Sequence, residues 1–236
     1  MKKFLLFIPI LTLMACSSEP PDLTEEIVTD LNEQVESSAT MPSEDQFFAS
    51  QKIANDYEKA FKHANSMQLF FKEDQSTAYF KGFGNEYASY TEKTTWLSND
   101  YVRIDKDNGA TITTQYFRVI KDAIYLIKEV INEQDKLTVQ DLQLIKPVSS
   151  LLQTPLRENF QFDNWRILNT NEIVETPYDT FQNVIVLYSE NDNTSETKYF
   201  ARGYGIIKTI YTLMPLDGEG EEFIVQSELM NITYQK

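Results

Sequence analysis

From about residue 69 onward, apolar and polar residues alternate with a period of two, the spacing that turns one face of a β-strand toward a core. Apolar-rich runs cover about 77–83, 86–97, 100–105, 110–120, 122–131 and 137–145, and each is predicted to be a strand. Turn-forming residues separate them, among them Ser98-Asn99-Asp100, Lys121-Asp122 and Asp107-Asn108-Gly109. Asn108-Gly109 is the strongest hairpin signal, since a type I′ turn needs positive φ at both central residues. Lys146-Pro147 and Pro155 mark a boundary of sorts, after which strands resume at about 164–175, 181–189, 196–202, 204–213 and 222–234. Reversals fall at Thr176-Pro177-Tyr178-Asp179, at Asn191-Asp192-Asn193 and at Asp217-Gly218-Glu219-Gly220.

The pattern predicts an all-β domain, mainly an antiparallel meander, closed as a half-barrel or a sandwich because each sheet face needs something packed against it. Its two halves, about 68–146 and 147–236, are similar in strand count and length but share no residue-level repeat. A different period precedes the strands. Between Ser43 and His63, Phe47, Phe48, Ala54, Tyr57, Ala60 and Phe61 fall mostly on one helical stripe behind a Ser43-x-x-Gln46 capping pattern. This predicts a short amphipathic helix over one end of the core. His63, the single histidine, reads as a capping or surface residue at its C-terminal end.

The first 43 residues have no core-forming pattern. Lys2 and Lys3, an apolar run from Phe4 to Leu13 and the small residue Ala15 have the layout of an export signal. That run is too short for a permanent span, which needs roughly 20 apolar residues. Cys16, the only cysteine, follows at once, and Leu13-Met14-Ala15-Cys16 resembles the lipobox of bacterial lipoproteins. The resemblance implies cleavage before Cys16 and a diacylglyceryl and palmitate anchor on its thiol. Residues 17–43 read as an acidic flexible tether, because from Ser17 to Gln51 nine acids face no lysine or arginine.

Composition narrows the classes further. The net charge of −15 becomes −17 once residues 1–15 leave, since they carry two lysines and no acid. Such a surface repels nucleic acid, whose binding needs Lys and Arg on phosphates. With a single cysteine no internal disulfide is available, so an apolar core must hold the fold. Strand-favouring aromatics make up 13% of the chain.

Three stretches resemble an uncharacterised family of Gram-positive lipoproteins. Phe83-Gly84-Asn85-Glu86-Tyr87-Ala88-Ser89-Tyr90, with Asn108-Gly109 some twenty residues on, is similar to that family's GNEYASY and NGG motifs. Thr176–Ile185 and Lys198–Lys208 resemble its TPxGTFxNVI and YYAxGVGLVK segments. The resemblance implies a β-rich lipoprotein on the extracytoplasmic face of the cell membrane and implies no activity. Asp179 and Ala110 stand where the family has glycine, which restricts both turns.

Candidate sites are sparse. Gly84, Asn85, Glu86, Asn108, Gly109, Gly203 and Gly205 are candidates for a ligand contact or a structural role, with a bulge or close strand packing the plainer reading of the glycines. The acidic turns at 190–193 and 217–222 have oxygen ligands but not the twelve-residue calcium-loop pattern, so no metal is assigned. No cofactor motif is present, and no Gly-x-Ser-x-Gly elbow, His-Glu-x-x-His pair or nucleophilic cysteine marks an enzyme. The aromatics, Tyr79, Phe80, Tyr87, Tyr90, Trp96 and Trp165 among them, either fill a core or line a concave sheet. The expectation is a non-enzymatic module binding an unknown envelope protein or a wall-associated molecule, with the last strand, 223–234, as an edge open to strand addition. The alternatives are a carrier of a lipid or other hydrophobic ligand and, behind it, a carboxylate-based hydrolase.

Overall fold

The computed structural model describes residues 66–133, 136–215 and 221–234. Cys16, the tether, the 43–63 helix with His63, and the turn at 217–220 lie outside them. Twelve strands are present: β1 (Ser76–Phe83), β2 (Tyr90–Ser98), β3 (Tyr101–Asp107), β4 (Ile112–Ile120), β5 (Ala123–Ile131), β6 (Ser149–Gln153), β7 (Gln161–Phe162), β8 (Trp165–Glu175), β9 (Thr180–Glu190), β10 (Thr194–Ala201), β11 (Gly205–Leu213) and β12 (Phe223–Tyr234). All pairings are antiparallel, in one sheet of order β6-β5-β4-β3-β2-β1-β12-β11-β10-β9-β8-β7.

Ten strands fall where the alternation puts them, and the departures are local. The 137–145 run is not a strand: it holds a single turn of helix, α1 (Val139–Gln143), because Thr138 and Asp141 form a reciprocal capping box that starts a helix instead. Residues 86–88 leave the strand pattern for a 3₁₀ turn, with Asn85 accepting from the Tyr87 N–H at 2.8 Å. The Asn108-Gly109 hairpin forms, but not as a type I′ turn. Only Gly109 takes a positive φ, 85°, since Asn108 is held by its own side chain, which accepts from the N–H groups of Ala110 and Thr111. The last strand is no edge, because β12 lies mid-sheet between β1 and β11, and the edges are β6 and β7.

The sheet curls into a nearly closed barrel. Its edges meet where the Ser150 N–H of β6 donates to Asp163 Oδ2, in the β7–β8 turn, at 2.6 Å. Leu152 of β6 and Phe162 of β7 thereby join Val102, Phe117, Leu187 and Phe200 in one buried cluster. Antiparallel pairing gathers the turns at 98–101, 120–123 and 201–205 at one end, and those at 83–90, 107–112 and 190–194 at the other.

The first end is closed by two segments. Residues 66–71, a 3₁₀ turn and its exit, enter the interior with Met67, Phe70 and Phe71 buried against Phe117 and Phe200. The Gly203 N–H holds this plug by donating to the Leu69 carbonyl at 2.6 Å. The tip of the β8–β9 hairpin adds a second layer: Tyr178 N–H donates to the Leu229 carbonyl at 3.2 Å, and Val174 and Phe181 pack with Ala78, Phe80 and Ile232. On the outer face of β3–β5, Tyr101, Tyr116, Ile127 and Val130 are covered by Leu142 of α1.

Candidate functional site at the open end of the barrel

Strand phase places a group of charges inside the barrel. In β2, Tyr90, Glu92, Thr94 and Trp96 point the same way, and Glu92 and Thr94 stand opposite Lys106 and Ile104 of β3. The Tyr90 and Glu92 positions also face Phe80 and Ala78 of β1, so this is the interior face. Lys72, the residue after the plug, reaches up to it. Its Nζ donates to Glu92 Oε1 at 2.6 Å and to the Ile206 carbonyl at 3.4 Å, with the two side chains only 2% and 6% exposed. Lys106 Nζ approaches Glu92 Oε2 at 3.9 Å, an ion pair too long for a hydrogen bond.

Aromatic rings frame these ions. Lys72 Nζ lies 5.2 Å from the Phe80 ring centre, Phe80 stacks on Tyr90 at 4.6 Å, and Lys106 lies 5.7 Å from the Tyr90 ring. On β10, Lys198 pairs with Glu196 at 3.1 Å and sits 4.2 Å over Trp165. Burial alone raises the Glu92 carboxyl pKa, but Lys72 and Lys106 outweigh it and hold the group below its ordinary value. Burial pushes the Tyr90 hydroxyl well up, with help from Glu92 and Glu196. Burial pushes Lys198 down, opposed by Glu196 and assisted by the charge of Lys106. Phe200 of β10 lines one cavity with Thr94 of β2 and Lys106 of β3, so the curl brings β10 across from those strands.

Between plug and charges is a cavity of about 30 Å³, lined by Phe70, Phe71, Lys72, Glu92, Thr94, Lys106, Gln115, Phe117 and Phe200, among others. It has room for roughly one or two waters and none for an acyl chain. Thr94 Oγ1 is buried at its wall without a hydrogen-bond partner among the described residues. Above it the rim changes character along β11–β12, where Leu213 faces Phe223 and Tyr211 faces Val225 across the ladder, with Leu213 and Phe223 exposed.

The residues singled out in the sequence do not converge on one place. Gly84 (φ 84°) lies so close to Ile224 that a Cβ would strike its carbonyl oxygen. Asn85 caps the 86–88 turn, on which Glu86 is exposed to solvent, and Asn108 and Gly109 form the β3–β4 tip with open space around Gly109. Gly203 and Gly205 sit at the opposite end against the plug, where a Cβ on Gly205 (φ 66°) would stand 3.0 Å from the Phe70 carbonyl oxygen. The Asn191 turn is closed by its own side chain, and no group of three or more His, Cys, Asp or Glu suited to a metal occurs among the described residues. Lys72, Glu92, Lys106, Glu196 and Lys198 were not singled out. Their signal is phase: Glu92 shares the parity of Tyr90 and Trp96, Lys106 that of Val102 and Ile104, and Lys198 that of Phe200.

No protein-family model matches the chain, and no curated protein matches it. Among solved structures it is similar to a "putative exported protein with YmcC-like fold" from Bacteroides fragilis NCTC 9343, at 10% identity and TM-score 0.42, covering 70% of this chain and 98% of that one. It is also similar to a "putative lipoprotein" from Parabacteroides distasonis ATCC 8503, at 11% identity and TM-score 0.44, with the same coverage of 70% and 98%. Both likenesses are loose, and neither transfers an activity.

Proposed function

We propose that the protein is an extracytoplasmic lipoprotein, anchored to the cell membrane through a diacylglyceryl Cys16, whose barrel is a non-enzymatic binding module presented on an acidic tether to another component of the envelope. The observation that carries the reading is how little space lies behind the charges: among the described residues, the plug and the Lys72–Glu92 pair leave a cavity of about 30 Å³ there. A carrier of a whole lipid needs several hundred Å³ of apolar space. The carboxylate-based hydrolase gains nothing, because a general acid needs a raised pKa and Glu92 is shifted the other way, while Glu86 is exposed.

Native mass spectrometry of the full-length protein from its own host tests the binding half. A mass without bound lipid, beyond the Cys16 anchor, is expected; a discrete extractable lipid inside the fold overturns it in favour of the carrier. The anchor is tested separately. Cys16→Ser should leave an uncleaved, unlipidated precursor, and a processed, membrane-bound variant would refute the lipobox reading.

A further inference from the structure

The open end of the barrel has a feature that a passive module does not need. In a chain of net charge −15, three lysines (Lys72, Lys106, Lys198) and three carboxylates (Glu92, Glu196 and Glu129, which accepts from Gln115 Nε2 at 2.6 Å) share one face of the curled sheet. Their hydrogen bonds do not balance. Lys72 is committed to Glu92 and to the Ile206 carbonyl. Lys106 has three N–H donors and, among the described residues, no acceptor within hydrogen-bonding distance, only Glu92 at 3.9 Å and a Tyr90 face. Thr94, fully buried on the same wall, has an unpartnered hydroxyl. Lys106 is 27% exposed and reachable from solvent, whereas the Thr94 hydroxyl is buried with no partner among the described residues. Such an unmade hydrogen bond is costly, so the two together mark where an acceptor from outside fits.

We propose that the end of the barrel opposite the plug, open among the described residues, is a binding site for a single oxyanion, a carboxylate or phosphate group, held by the Lys106 ammonium and the Thr94 hydroxyl. The geometry suits that class. The cavity of about 30 Å³ takes no large body, and Lys106 in its wall is 27% exposed, so the rest of a ligand stays outside. Glu92 does not repel the anion as a free carboxylate would, because Lys72 at 2.6 Å neutralises it. The site is independent of the anchor, so the Cys16→Ser chain binds as well as the lipidated one, which separates failure of this inference from failure of the lipoprotein reading.

The test is isothermal titration of the full-length Cys16→Ser chain with three probes: inorganic phosphate, acetate and dihexanoyl phosphatidic acid. Saturable one-to-one binding of phosphate or acetate is expected, weakened at least about tenfold in Lys106→Gln, where a charged donor is lost, and a few-fold in Thr94→Val. An unchanged melting temperature of Lys106→Gln shows that the loss is not unfolding. Equal affinity for phosphate and the phosphatidate supports a site for free oxyanions, and a large advantage of the phosphatidate supports the same site with the oxyanion borne on a lipid. Absence of saturable binding of all three probes to folded protein overturns the proposal. So does binding that both variants leave unchanged.

Discussion

The two ends of the barrel are built from the same strands by opposite means. At the plugged end Met67, Phe70 and Phe71 sit among Phe117, Phe200 and Leu187, apolar against apolar, and the backbone of the plug is tied to Gly203. At the open end the same interior face carries Glu92, Lys106, Glu196 and Lys198, and the apolar residues are displaced to the exposed rim at Leu213 and Phe223. Apolar burial stabilises roughly in proportion to area and asks for no particular partner. Buried charge stabilises little by itself and demands a specific one. The difference teaches that the plugged end holds the fold while the open end is costly to keep, the arrangement expected where binding takes place.

Breaking each end in turn sharpens that contrast. The largest effects belong to Phe70→Ala and Lys72→Ala. The first opens a core cavity and should cost about 3–5 kcal/mol. The second strands the buried Glu92 carboxylate and should cost about as much, while Lys72→Met with Glu92→Leu should recover most of the loss. Urea denaturation measures all three, and a double variant no better than Lys72→Ala would show that the ion pair is worth more than apolar packing here. Next comes Gly205→Val, which forces a β-branched residue to φ 66° against the Phe70 carbonyl and should cost about 1–3 kcal/mol. An unchanged melting temperature would remove Gly205 from the docking of the plug.

Acid should act through the open end. The pKa of Glu92 is lower in the fold than in the unfolded chain, so its contribution is present above the unfolded value, about 4.3, and is lost as pH falls through the lower folded value. Glu92→Gln should therefore flatten the loss of stability below about pH 4, as read by chemical denaturation across pH. The smallest effect belongs to the rim: Leu213→Ser and Phe223→Ser should change stability by less than about 0.5 kcal/mol, because both side chains are about half exposed already. A large loss there would mean that the rim belongs to the core.

Much of the sheet was legible because strand alternation is a local signal. Tyr101 and Ile104 on either face of β3, or Lys121-Asp122 between β4 and β5, announce themselves within a few residues. What was not legible depends on partners far along the chain. Leu69, Phe70 and Phe71 look like the start of a strand, and only the closed barrel supplies the hole that a 3₁₀ turn fills instead. The 149–153 strand is short and lies between Pro147 and Pro155, where turn chemistry hides it. Lys72 and Glu92 are twenty residues apart and unremarkable singly. Glycine signals were visible while their neighbours were not, since it is the Ile224 backbone, remote in sequence, that leaves no room for a Cβ at Gly84, and the equally remote Phe70 backbone that crowds one at Gly205.

The place of β12 between β1 and β11 also bears on the order of assembly. A chain synthesised or exported N-terminus first presents β1–β6 and then β7–β11 as separate meanders, and the ladder between β1 and β11 stays incomplete until residues 223–234 arrive. That ladder pairs Ser76 with Tyr234, a long-range contact of the kind that makes β-topologies slow to fold. β12 is the keystone of the described sheet, and until it is set β1 and β11 expose ladders to any other chain nearby.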